Sequence, residues 1–148
     1  MAFKPPPVKE SYLWSQLKMA ISDDETHLCR IENTAGTGIA DVNACYRGVE
    51  VWLELKVVHG NFVSFRTSQR GWMLTRHRAG GRVLVFVRNG DELALYMATD
   101  MLAAEHRPAP DGKSFTVHVN DLPTPMFRCK KPFSWHDVKE NIFHGPPF

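Results

Sequence analysis

The sequence predicts an α/β fold or an α+β sandwich, with helices packed on one central sheet. Three observations predict it. Residues 8–21 carry apolar side chains at helical spacing, residues 39–58 form two alternating runs about a glycine turn, and RVLVFVR at 82–88 is a buried-type strand. At 148 residues the chain is long enough to bury a real core. We expect one domain over 1–148, with a core at about 8–98 and a less regular C-terminal extension at 99–148.

Each element follows from its residues. The Pro-Pro-Pro run makes residues 1–7 an arm. In VKESYLWSQLKMAI, Tyr12, Leu13, Leu17 and Ile21 form a helical stripe that Trp14 and Met19 widen. SDDE at 22–25 breaks the helix, THLCRIEN at 26–33 alternates as a strand, and TAGTG at 34–38 is a loop. The hairpin of 39–58 comes next, and HGNFVS at 59–64 reads as a connection. TSQRGWMLTRHRA at 67–79 reads as a helix capped by Thr67 or Ser68 and stopped by Gly80-Gly81. The strand at 82–88, the NGDE turn and LALYMA at 93–98 make a second hairpin. A short helix at 99–105, a loop at 107–114, a strand at 115–120 and a helix at 134–143 with Ser134 as N-cap complete the chain.

Composition excludes several classes. No apolar run approaches the roughly 18 residues of a membrane span, and MAFKPPPVKESY lacks the features of a signal peptide. A cytoplasmic protein without membrane contact is expected. Cys29, Cys45 and Cys129 form no C-x-x-C pair, and the seven histidines form no H-E-x-x-H. A bound metal would therefore be held by oxygen, which suits Mg²⁺ or Mn²⁺. The net charge is only +2, but no Asp or Glu occurs from Leu55 to Gly90. That segment holds Lys56, Arg66, Arg70, Arg76, Arg78, Arg82 and Arg88. Such a local excess suits either a polyanion or a solvated helix face.

The hairpin is the most informative stretch. A tight turn at Arg47-Gly48 pairs residues whose numbers sum to 95, so Tyr46 faces Val49 and Asp41 faces Glu54. Alternation then puts Val42, Ala44, Tyr46, Val49, Val51, Leu53, Leu55 and Val57 on one face. The other face carries Asp41, Asn43, Cys45, Glu50, Trp52, Glu54 and Lys56. A one-residue slip would mix these sets. Opposed carboxylates have Cβ atoms about 4.5–5.5 Å apart and repel, so a counter-charge belongs between them. Lys56 is one candidate and a divalent cation is the other, with the Leu55 carbonyl as a further oxygen ligand.

Asp41, followed after the hairpin by Glu54-Leu55-Lys56, resembles the D…(D/E)-x-K motif of the PD-(D/E)xK nuclease superfamily. Ala40 stands where the usual Pro would be. RIENTAGTGIADV and RTSQRGWMLTRHRAGGRV resemble the small phage-type and VRR-type branches, which include Holliday-junction resolvases. The likeness spans about residues 8–98. It implies a restriction-endonuclease-like αβββαβ core, a central mixed sheet flanked by helices, and hydrolysis of DNA phosphodiesters with Mg²⁺ or Mn²⁺. Asp41, Glu54 and the Leu55 carbonyl would bind metal, and Lys56 would orient water or stabilise charge on the phosphate. Glu32 matches an additional acidic ligand in some members; in others that acid lies on the first helix, where Glu10 is the candidate. Gln69 matches a supporting position.

Arg66, Arg70, Arg76 and Arg78 would hold flanking phosphates, extended by Lys130 and Lys131. Trp72 reads as core rather than a stacking platform. Branched or junction DNA is the implied partner, with a homodimer and a phage origin, hence host cytoplasm, as further implications. Two rival readings stand beside this one: a non-catalytic DNA-binding module on the same fold, and an interaction protein whose arginines meet an acidic partner.

Overall fold

The computed structural model describes residues 8–32 and 37–145. The arm expected at 1–7, most of the TAGTG loop and the last three residues of the NIFHGPPF tail lie outside the described residues. Helix α1 spans Glu10–Ile21 and buries Leu13, Leu17 and Ile21. Strands β1 (Thr26–Arg30), β2 (Val42–Tyr46) and β3 (Val49–Val57) follow, then β4 (Phe62–Arg66) and α2 (Thr67–Arg78). Strands β5 (Val83–Asn89) and β6 (Glu92–Met97) form the second hairpin, and α3 is Ala98–Ala103. The remainder is β7 (Arg107–Pro108), β8 (Ser114–His118), a 3₁₀ turn at Val119–Asp121, β9 (Phe127–Lys130) and α4 (Trp135–His144). No helix among the described residues is long and apolar enough to cross a membrane.

The central sheet has six strands in the order β1-β2-β3-β5-β6-β9. Only β3 and β5 run parallel; every other neighbouring pair is antiparallel, so the sheet is mixed. The parallel pair requires a crossover, and β4 with α2 supplies it. The hairpin register is the expected one, with Tyr46 opposite Val49, Ala44 opposite Val51 and Val42 opposite Leu53. Arg47 and Gly48 both have positive φ, 47° and 83°, as a two-residue turn matched to strand twist demands.

Two apolar layers cover the sheet. Leu53, Leu55, Leu84 and Phe86 pack with α1 and α4 on one face. Val83, Val85, Val87 and Tyr96 pack with Met73 of α2, Met101 of α3, and Val63, Phe65, Phe115 and Val117 on the other.

The structure differs from the expectation in four places. The connection at 59–64 is half strand: Val63 and Phe65 are buried between exposed Ser64 and Arg66, and β4 pairs antiparallel with β8 in a second sheet, β4-β8-β7. The segment 99–148 is more regular than a tail, since β9 adds a sixth strand beside β6 and α4 covers one face of the main sheet. Helix α2 is entered through Arg66 rather than capped by Thr67 or Ser68, because the Gln69 side chain reaches back to accept the Arg66 N–H at 2.8 Å. Ser134 is the N-cap residue of α4, but its hydroxyl donates to Asp137 Oδ2 at 2.8 Å instead of accepting a backbone N–H.

Candidate active site

Residues on β3 alternate between two edges as well as two faces. Trp52 and Val58 donate their N–H groups to the carbonyls of Arg82, just before β5, and Arg88, within β5, both at 2.9 Å. Odd-numbered residues of β3 therefore turn their N–H and C=O groups toward β2. The β2 ladder ends at Val42, so Leu55 has no backbone partner on that edge. Asp41 fills the position, and its Oδ2 accepts the Leu55 N–H at 2.8 Å. The backbone carbonyl of Asp41 accepts the Ile31 N–H at 2.7 Å, which ties it to the end of β1. Just upstream, Gly38 has φ +76°, and a Cβ there would fall 2.1 Å from the Ser68 carbonyl oxygen. Only glycine allows the loop leading to Asp41 to lie this close to the start of α2.

Glu54, Lys56 and Gln69 form one buried network. Gln69 Nε2 donates to Glu54 Oε1 at 3.0 Å, and Gln69 Oε1 accepts from Lys56 Nζ at 3.1 Å and from the Arg66 N–H. Lys56 Nζ is 3.8 Å from Glu54 Oε1 and 4.9 Å from the Phe65 ring centroid. Glu54 is 1% exposed, and its buried Oε2 accepts no N–H or O–H donor in the structure as it stands, among the described residues. Burial pushes the Glu54 carboxyl well above the usual carboxylate range. The Asp41 carboxylate raises it further, by its charge and by a hydrogen bond shared between the two carboxyl groups when one is protonated, Lys56 opposes the shift, and Glu10 adds to it.

A divalent cation fits this arrangement. An unpartnered oxygen on a buried carboxylate beside a second carboxylate is a site short of positive charge, and Lys56 supplies only part of it. Among the described residues no group of three or more His, Cys, Asp or Glu side chains converges on one point. Asp41 and Glu54 are the two carboxylates that would hold a cation there.

The two candidates for an additional acid separate. Glu10, on the first turn of α1, feels Lys56, Asp41, His59 and Arg30, and partial desolvation raises its carboxyl. Glu32 is exposed and has no hydrogen bond or ion pair among the described residues. Glu10 interacts electrostatically with Asp41 and Lys56, whereas exposed Glu32 shows no interaction with either among the described residues.

The cations fall into different roles. Arg66 and Arg78 are exposed beside α2. Arg70 donates to the Leu102 carbonyl at 2.9 Å. Arg76 pairs with Glu50 at 3.3 Å and lies over Trp52. Lys131 pairs with Asp91 at 3.5 Å, and exposed Lys130 sits on β9 at the far edge of the sheet, three strands from β3. Arg82 and Arg88, part of the basic segment, are buried. Arg82 donates to the Ile142 and Asn141 carbonyls at the end of α4, and Arg88 to Gln16 Oε1 at 2.6 Å. Their charge is structural. Trp72 is half-buried edge-on to Trp52, at 5.0 Å between centroids.

The fold is the restriction-endonuclease-like α/β fold, with its mixed central sheet between helices. Among solved structures the chain is similar to a Holliday junction resolvase from the archaeal hyperthermophile Archaeoglobus fulgidus. The TM-score is 0.54 at 13% identity, covering 87% of this chain and 98% of the resolvase. At that identity the likeness is one of fold. No protein-family model matches the chain, and no curated protein matches it.

Proposed function

We propose that this protein is a metal-dependent DNA endonuclease selective for branched or junction DNA, and a resolvase in the strongest form of this reading. The observation that carries it is the buried Glu54 carboxylate. It has one oxygen unpartnered, lies beside Asp41, and is bridged to Lys56 through Gln69. The fold shared with a Holliday junction resolvase supports the same conclusion.

Asp41, Glu54 and the Leu55 carbonyl would hold Mg²⁺ or Mn²⁺, with Glu10 the better-placed additional acid than Glu32. A cation bound there supplies Lewis-acid activation of water and neutralises charge on the phosphate. Asp41 keeps its carboxylate aimed by accepting the Leu55 N–H. Gln69 orients Glu54 and Lys56 together, so the Lys56 ammonium faces the developing negative charge without reorganising. Exposed Arg66 and Arg78 are free to meet flanking phosphates; Arg70 and Arg76 would do so while retaining their present contacts. Lys130 and Lys131 would reach only an outlying duplex arm. This reading places the protein in the cytoplasm, the host's if it is phage-encoded. A homodimer would let two sites cut two strands.

The test uses four-way, nicked and linear DNA with Mg²⁺, Mn²⁺ or EDTA. Cleavage of branched DNA is expected with either metal and not with EDTA, and Glu54→Ala or Lys56→Ala should abolish it. Tight DNA binding without cleavage under any metal would instead mark a non-catalytic module. Absence of binding at low salt would remove both readings.

A further inference from the structure

The sheet β4-β8-β7 lies outside the αβββαβ core, yet it meets Lys56 directly through Phe65 and indirectly through Gln69 of α2. Lys56 is 7% exposed, and its ammonium rests over the Phe65 ring of β4 and against Gln69 Oε1. The same Gln69 oxygen accepts the N–H of Arg66, the last residue of β4. Whatever places β4 therefore places both holders of the ammonium.

β4 is placed by the C-terminal extension. It pairs with β8 along its whole length, from Phe62 opposite His118 to Arg66 opposite Ser114, and belongs to a sheet separate from β3. The Phe65 and Phe115 rings stack at 5.4 Å and 15°, and the His106 ring packs against Phe115 with centroids 4.9 Å apart. One residue beyond β4, the Thr67 N–H donates to the Lys113 carbonyl at 2.9 Å and its hydroxyl to the Gly112 carbonyl at 2.8 Å. These bonds pin the start of α2 two residues before Gln69.

We infer that residues 106–118 are a positioning element of the catalytic centre, acting on Lys56 through Phe65 and Gln69. This inference rests on the nuclease reading. A cation over an aromatic face is held by the ring quadrupole, and more strongly when water is excluded, as it is here. An aliphatic side chain in place of Phe65 would fill space without orienting the ammonium. The loss should then fall on the chemical step rather than on DNA binding.

Phe65→Leu is expected to lower kcat about tenfold with KM for junction DNA changed by less than about twofold. Phe65→Tyr keeps the ring and should restore kcat to within about twofold of wild type. Phe115→Leu, at a buried position stacked on Phe65, should lower kcat about threefold by freeing Phe65. Proton NMR of the folded proteins gives a readout separate from activity. The Lys56 Hε signals should be displaced upfield by the Phe65 ring in wild type and in Phe65→Tyr, and not in Phe65→Leu. Wild-type cleavage kinetics in Phe65→Leu, equal defects in the Leu and Tyr variants, or no upfield displacement in wild type would each overturn the inference while leaving the nuclease reading intact. A wild-type protein that cuts no DNA would overturn the nuclease reading, and the Lys56 signals would then report on the positioning alone.

Discussion

The two faces of β3 solve opposite problems with adjacent residues. Val51, Leu53, Leu55 and Val57 enter the layer under α1 and α4, where burial of aliphatic surface is favourable without further conditions. Trp52, Glu54 and Lys56 face β4 and α2. Glu54 and Lys56 are nearly as buried as the aliphatic residues, but they are ionisable groups. On that face burial is tolerated only because Gln69 and Phe65 surround the charges, and the tolerance is incomplete at Glu54 Oε2. One face is built for stability. The other keeps an unfavourable charge arrangement, the kind the proposed cation site would relieve.

The contrast yields graded expectations. Leu53→Ala should be the most damaging to stability, because Leu53 is fully buried and the cavity cannot be filled from the opposite face. A loss of about 2–5 kcal/mol is expected, measured by chemical denaturation. A loss below about 1 kcal/mol would show that the aliphatic layer repacks freely, and the contrast would weaken.

Glu54→Gln should act in the opposite direction. The folded-state pKa of Glu54 is raised, so its folded form favours the proton and binds it where the unfolded chain has released it. The stability this protonation contributes is complete below the ordinary carboxylate pKa and is lost as pH rises through the raised one. Metal-free wild type should therefore lose stability over that interval, by about 1.4 kcal/mol for each pH unit between the two pKa values. Glu54→Gln should lack this loss and melt higher than wild type at about pH 8 in EDTA. Under the proposed metal reading, Mg²⁺ or Mn²⁺ should raise the melting temperature of wild type and not that of Glu54→Gln. Parallel pH profiles for the two proteins would contradict a strained carboxylate.

The smallest effect is expected at the rim of the same face. Arg76 and Glu50 are both substantially exposed, so Arg76→Ala should change stability by less than about 1 kcal/mol. It should weaken DNA binding mainly at low salt, by loss of one phosphate contact. A fall in melting temperature comparable to that of Leu53→Ala would mean that the Arg76–Trp52 stack is part of the core.

Much of the fold is legible in local pattern. The β2–β3 register can be read because a two-residue turn fixes pairing and a strict period of two segregates the faces. The strand character of β4 is present in the alternation of Val63 and Phe65 with Ser64 and Arg66, but its partner β8 lies some fifty residues away, so no turn announces the pairing. β9 escapes local pattern for the same reason, since it reaches β6 across a long connection. The arginine-rich segment looks uniform as a run of letters. Only packing shows that Arg82 and Arg88 are consumed by helix carbonyls and Gln16, while Arg66 and Arg78 remain exposed.

The sequence by itself determined the hairpin and its turn, because strand periodicity and glycine conformation act over a few residues; the ladder stops at Val42, so the expected Asp41–Glu54 strand pair does not form and Asp41 instead meets β3 through its side chain on the Leu55 N–H. Tertiary structure decided which remote groups complete the cluster. Glu10 approaches from α1, Gln69 from α2 and Phe65 from a strand held by β8. Those choices depend on how separate elements dock, and docking is set by the sum of many weak contacts across the two faces of the sheet, which no local pattern encodes.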